Sequence, residues 1–255
     1  MQNRASSPGS FSVSDRIWHA IRYHTPSWLL HCTQAAATIV EVPFFRPRRY
    51  WESRHQRNRG TMRATGHRFL GEQANQADYA LKSLMLLRCV ERSCAVNQER
   101  SLLDAGCGTG YFSRKFESLG FQVTGVDFAE TAIRHAQEQG QGAYRVADLS
   151  DLHLKQEFDV VVCIDVLFHV VDDHLWKKVL SSLTRHLKPG GHLVLQESLE
   201  TCARRSCSHV RRRTRSDYDN ALGQLGLHVV ATETYRLPKE QAHKDILVAS
   251  RVSAP

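Results

Sequence analysis

Three aspartates fall where short apolar runs end, spaced so that one ligand would meet all of them. Asp104 closes the run Ser101, Leu102, Leu103 and leads into a loop in which Gly106, Gly108 and Gly110 alternate with Cys107 and Thr109. Such spacing lets the backbone pass close under a bulky group. Asp127, followed by Phe128, ends a second run about twenty residues further on, the usual place for a carboxylate that accepts from both hydroxyls of a ribose. Asp148 and Leu149 follow a third run, where a carboxylate accepts from an adenine amino group and apolar atoms pack on the ring. Ile164, at the end of a fourth run, is placed against the same ligand. A glycine loop alone suits a dinucleotide equally well. Asp104 discriminates, because a carboxylate under the loop repels a pyrophosphate and draws an ammonium group.

These residues need strands that end together. From residue 101 onward, short β-like runs alternate with helical ones, the pattern of βαβ units and a parallel sheet. Strands are expected over 101–104, 122–126, 143–146, 158–164, 192–197, 227–235 and 245–252, and helices over 111–119, 129–137, 173–187 and 216–225. The unbroken apolar run 158–164 belongs mid-sheet. Pro189, Gly190 and Gly191 read as a stop and turn before the fifth strand, and Pro238 as the turn of an antiparallel final pair. The expected class is α/β, a Rossmann-like, seven-stranded, mostly parallel sheet with helices on both faces. Before it, residues 15–100 carry helical patterns only, among them 75–90 and a helix from Arg16 capped by Ser14 and Asp15. Residues 1–14 read as a polar, disordered lead-in, 15–100 as a helical extension or lid, and 101–255 as the ligand-binding domain.

The chain of 255 residues is 42% hydrophobic with a net charge of +8, enough apolar content for one sizeable core. Its basic residues are clustered, in 46–49, 54–68 and 211–215, which suits an anionic small molecule as well as a polyanion. Seven cysteines form no CxxC pair, and the odd number argues against a secreted disulfide framework, so a reducing cytoplasm is expected and no metal site. The stretch 25–45 is apolar but broken by Pro26, His31, Gln34, Glu41 and Pro43; it fits a capping helix or a peripheral membrane contact better than a span.

From 102 to about 252 the chain resembles the class I S-adenosylmethionine-dependent methyltransferases of the ubiquinone/menaquinone and small-molecule type. The resemblance is carried by LLDAGCGTG at 102–110, VTGVD at 123–127, FDVVVCIDVLFHV at 158–170 and LKPGGHLVL at 187–195. It implies S-adenosyl-L-methionine as cofactor and a strand order 3-2-1-4-5-7-6 with the last strand antiparallel.

Methyl transfer from a sulfonium is an in-line displacement, so the protein aligns the partners and removes a proton where the acceptor needs it. His169, just after the fourth strand, is the candidate base and matches a histidine often found at this place in the family. Asp165 and Glu197, at the ends of the fourth and fifth strands, are candidates to orient the acceptor. The segment 200–215 is where the family varies its acceptor site, and here it holds His209, Arg211, Arg212 and Arg213; guanidinium forks suit phosphate or carboxylate. Arg63 and His67, in a stretch dense in Arg, Thr and Gly, are expected on a lid reaching cofactor or acceptor. The expected function is O-methylation of a small-molecule acceptor, anionic and glycosylated ones included. N-methylation, a nucleic-acid substrate, and a cofactor-binding module without catalysis stay open. A NAD-dependent oxidoreductase is disfavoured by Asp104 and by Tyr111, which stands where the dinucleotide fingerprint wants its last glycine.

Overall fold

The computed structural model describes residues 45–67, 69–93, 100–207, 209–237 and 243–251. The chain divides into two units, Met1–Phe44 and Phe45–Pro255, and all described residues belong to the second. The expectations for 1–14, for a helix from Arg16 and for the apolar stretch before Phe45 lie outside the described residues.

Two helices precede the sheet, α1 (Pro47–Arg57) and α2 (Glu72–Ser93), joined through a 3-10 turn at Met62–Ala64. Pro47 starts α1 with its φ preset for a helix, and Arg54 and Arg57 sit in the last turn, where carbonyl dipoles favour positive charge. The sheet unit then runs β1 (Arg100–Ala105), α3 (Tyr111–Glu117), β2 (Phe121–Asp127), α4 (Glu130–Gln139), β3 (Ala143–Val146), β4 (Phe158–Ile164), α5 (Asp173–Arg185), β5 (Leu187–Glu197), β6 (Arg204–Cys207), β7 (Val210–Arg212), α6 (Arg215–Gly223), β8 (Leu227–Arg236) and β9 (His243–Arg251). The seven-stranded order is β3-β2-β1-β4-β5-β9-β8, with β9 antiparallel to both neighbours. Among these seven strands that is the order 3-2-1-4-5-7-6 implied by the resemblance.

Period-two alternation splits the core into two faces. Leu103, Val161, Cys163, Leu193, Leu195 and Leu247 pack with α5 and α6, while Leu102, Val160, Val162, Val194 and Ile246 pack with α2 and α3. Central strands buried on both sides follow from helices covering both faces.

Two details depart from the sequence-based expectation. Strand β5 begins at Leu187 rather than 192: Pro189, Gly190 and Gly191 form a bulge within it, seen as a register shift against β4 between Phe158 and Val160. Two steps along β4, Phe158 to Val160, face five along β5, Leu187 to His192, so three extra residues loop out there, and Gly190 takes the left-handed φ of 76° in that excursion. Strands β6 and β7, inside the arginine-rich segment, make a separate two-stranded hairpin. Among the described residues no helix is long and apolar enough to cross a membrane.

Candidate active site

The loop after β1 is held from below. Gly106 and Cys107 donate their amides to Val126 O at 2.7 and 3.0 Å, and Gly106, Gly108 and Gly110 take φ of 82°, 53° and 74°, open to residues without a Cβ. A Cβ at Gly106 would strike Val166 Cγ2, and one at Gly108 would lie 2.8 Å from Thr65 Cγ2. The loop is therefore roofed on one side by the residue two beyond β4 and on the other by the turn after α1.

Asp104 is 1% exposed, below the loop, and accepts from Ser113 Oγ of α3 at 2.6 Å. Asp127 accepts from the amides of Gly108 at 3.0 Å and Ala129 at 2.9 Å. Burial pushes their carboxyls up to about 7 and about 6, and the Asp127 charge adds to the rise at Asp104. Neither forms an ion pair with a described residue. Cys107 is buried with its thiol pushed up by the same desolvation, so it is no nucleophile here. Phe128 is partly buried beside Asp127, and Leu149 and Ile164 are buried at 7% and 6% exposure. Asp148 is exposed and caps the 3-10 turn Leu149–Asp151, accepting from Ser150 N at 2.9 Å.

The acceptor side is built around the 3-10 turn Leu167–His169 after β4. His169 Nδ1 lies 2.8 Å from the carbonyl of His209; a carbonyl only accepts, so Nδ1 carries the hydrogen and Nε2 keeps its lone pair. Burial pushes this imidazole down to about 3, so it is neutral at physiological pH. Rings close around it: Trp51 at 4.8 Å, Phe168 at 4.4 Å and His209 stacked at 5.6 Å, with Tyr50 against His209 at 5.0 Å. Trp51 and Tyr50 come from α1. That helix is fastened to α4 by Glu52, which accepts from Thr131 N at 3.3 Å and from the Thr131 hydroxyl, and the turn after it by Arg59, which meets Glu138 at 2.9 Å.

Several expected ligand residues are otherwise engaged. Arg213 is 3% exposed; its guanidinium meets Asp173 at 3.0 Å, the Val170 carbonyl at 2.9 Å and the Trp176 ring at 4.4 Å, so it has no face left for an acceptor. Glu197 closes β5 but is 2% exposed, its side chain buried on the α5–α6 side of the sheet, and burial pushes its carboxyl up to about 8 beside the Tyr218 hydroxyl. Asp165, at a φ of 57°, is clamped by Lys82 Nζ at 2.5 Å and Lys244 Nζ at 3.0 Å. These two cations override its burial and hold the carboxyl far below the usual range. Arg63 is exposed and donates to Leu70 O at 3.3 Å, while Ala64 and Thr65 are the members of that turn beside the loop. His67 packs near Phe69 at 5.8 Å and holds Asn75 through its backbone. Arg211 pairs with Asp173 at 2.6 Å. Of the segment 200–215, His209 meets His169 through both its carbonyl and its ring.

The residues missed by sequence reasoning are Trp51, Tyr50, His55, Thr65, Lys82 and Lys244. A signal existed for one group: Tyr50, Trp51 and His55 sit in an otherwise charged helix, a spacing that puts rings on one side. No described group of three His, Cys, Asp or Glu has metal-holding geometry.

Comparison with known proteins agrees with this architecture. Residues 103–195 match the family described as Methyltransferase domain. The ubiquinone biosynthesis O-methyltransferases of Xanthomonas oryzae pv. oryzae (strain PXO99A) and Idiomarina loihiensis are each 39% identical over 101 residues, 37% of this chain and 41% and 40% of theirs. The match thus spans about two fifths of those relatives. Among solved structures, magnesium protoporphyrin IX methyltransferase from Synechocystis PCC 6803 with bound SAM has a TM-score of 0.65 at 20% identity, covering 80% of this chain and 95% of that one. The N-methyltransferase NodS from Bradyrhizobium japonicum WM9 has a TM-score of 0.58 at 20% identity, covering 69% and 88%. The strand order and the loop after β1 share the fold of these solved structures, and the segment that matches the methyltransferase domain family runs from β1 into β5.

Proposed function

We propose that this chain transfers a methyl group from S-adenosylmethionine to a hydroxyl of a small-molecule acceptor, with His169 taking the hydroxyl proton. The observation that carries the cofactor reading is the pair Asp104 and Asp127: two buried carboxyls, pushed up to about 7 and 6, with no described cation beside either. A cationic ligand relieves that situation, whereas an anionic dinucleotide worsens it. The residues fit the group in kind. Gly106 and Gly108 have no space for a side chain, Asp127 would exchange loop amides for ribose hydroxyls, and Phe128, Leu149 and Ile164 would offer apolar contact to an adenine, with Asp148 as acceptor for its amino group.

When bound, the cofactor supplies an electrophilic methyl on a sulfonium. The chain's own work is positioning and proton removal. Loop 106–110 sets the depth of the ligand, and Val166 against Gly106 places the turn bearing His169 next to it. His209 fixes the tautomer, so that Nε2 receives the proton from an acceptor hydroxyl. Asp165 nearby favours the positive charge that the ring then gains.

With Arg213 engaged elsewhere, support for an anionic acceptor thins. The walls offered by Trp51, Tyr50, Phe168 and His209 suit a hydroxyl on a flat, largely apolar ring, and the O-methyltransferase relatives point the same way. The test is incubation with S-adenosylmethionine and a panel of phenols, sugars, amines and RNA, read by mass. A methyl increment on phenols is expected. Transfer to amines or RNA instead would replace the acceptor reading, and cofactor binding without transfer to any acceptor would leave a non-catalytic module.

A further inference from the structure

Arg213 contacts nothing at the acceptor face, yet its hydrogen bonds converge on the backbone that carries His169. Its guanidinium donates to Val170 O at 2.9 Å and reaches Leu167 O at 3.5 Å, the two carbonyls that flank Phe168 and His169. These belong to the 3-10 turn, which closes only one bond across itself at this end, Val170 N to Leu167 O at 3.0 Å. Short turns of this kind have poor internal hydrogen-bond geometry and take the orientation their neighbours impose. The guanidinium is itself held: Asp173 accepts from Nε at 3.2 Å and Nη2 at 3.0 Å, and the Trp176 ring lies under it.

The ring of His169 is held by the same stretch of chain. His209, in the turn that joins β6 to β7, supplies the carbonyl that takes Nδ1–H. Arg213 follows that hairpin directly, and its own carbonyl accepts from Glu200 N at 3.1 Å, which ties the hairpin's exit to its entry. The far end of the turn is fixed independently, by Lys82 and Lys244 on Asp165.

We propose that Arg213 is a positioning residue for the methyl-transfer step: it fixes the backbone on either side of His169, while the preceding hairpin residue fixes the ring, so that Nε2 is aimed at the acceptor hydroxyl. The assignment rests on His169 acting as the base. It makes the arginine-rich segment a brace for the catalytic turn, with the guanidinium fork spent on two carbonyls and a carboxylate that a lysine ammonium cannot all reach.

The test uses the full chain with Arg213→Lys and, as a variant that leaves the carbonyl contacts in place, Asp173→Asn. Melting temperature, cofactor affinity by calorimetry, and kcat and KM at saturating cofactor are measured for each, beside His169→Ala. Misplacement of a reacting group by about 1 Å costs on the order of 100-fold, so Arg213→Lys is expected to lower kcat by roughly 10- to 100-fold, with cofactor Kd and acceptor KM within about twofold. Asp173→Asn should show a smaller loss in the same direction. In the His169→Ala background the Arg213→Lys loss should vanish, because there is no ring left to aim. A folded Arg213→Lys with unchanged kcat overturns the proposal, as does a loss of equal size with and without His169. If His169→Ala itself leaves kcat unchanged, it is the base assignment that fails.

Discussion

The two halves of the candidate site treat buried carboxylates in opposite ways. Beneath the glycine loop, Asp104 and Asp127 are met by a hydroxyl and by backbone amides and are pushed up to about 7 and 6. Past β4, Asp165 arrives with two lysines of its own and is held well below the ordinary range. The first arrangement is electrostatically incomplete and attracts a cation; the second is complete and serves as a fixed anchor. In the proposed function the loop half receives charge, and the half past β4 holds a turn still.

The largest separation between the halves should come from His169→Ala. Loss of a general base costs roughly 100- to 10,000-fold in kcat, and cofactor affinity by calorimetry should stay unchanged. A parallel loss of cofactor binding would mean that the halves are not distinct. On the cofactor side, Asp127→Asn should weaken S-adenosylmethionine binding by about 1–3 kcal/mol while leaving kcat at saturation nearly intact.

Glu197 extends the comparison to stability. Its folded pKa, near 8, lies above its ordinary value of 4.5, so the folded state holds the proton more tightly. The associated stability is fully present below about pH 4.5 and is lost as pH rises through 8. Unfolding free energies of the native chain, from denaturant titrations, should therefore fall across that window, relative to Glu197→Gln, by an amount on the order of 2–4 kcal/mol. Identical pH profiles for the two chains would show that Glu197 is solvated.

The smallest expected effect is a pH dependence of cofactor affinity. Because a bound cation favours the ionised carboxylates, binding should release protons between about pH 6 and 7 and strengthen by a few-fold over that range. Calorimetry in buffers of different ionisation enthalpy reads the released proton directly, and proton uptake would reverse the sign of the account.

The geometry of the loop half was largely legible in the sequence because its members lie within strand–loop units of about twenty-five residues. Glycines at alternate positions after an apolar run, and an aspartate closing the next run, state their geometry locally. The acceptor half was not, since its contacts are made by chain folding. Lys82 lies 83 positions before Asp165 and Lys244 lies 79 after it, and nothing local marks either as its partner. The run Arg211 to Arg213 invited a ligand-binding reading on charge alone, but burial and a single aspartate, Asp173, decide where two of those guanidiniums point. The Pro-Gly-Gly signal was likewise real but absorbed as a bulge, because the flanking apolar residues on both sides of it gain by pairing with β4.

The central claim is that the loop and its two uncompensated carboxyls take a cationic S-adenosyl ligand. Calorimetric titration of the purified chain at pH 7.5 with S-adenosylmethionine, its demethylated product S-adenosylhomocysteine, and NAD tests it most directly. The account predicts saturable binding of both S-adenosyl compounds and none of NAD, with Asp127→Asn weakening both. Binding of NAD with no response to either S-adenosyl compound would contradict it.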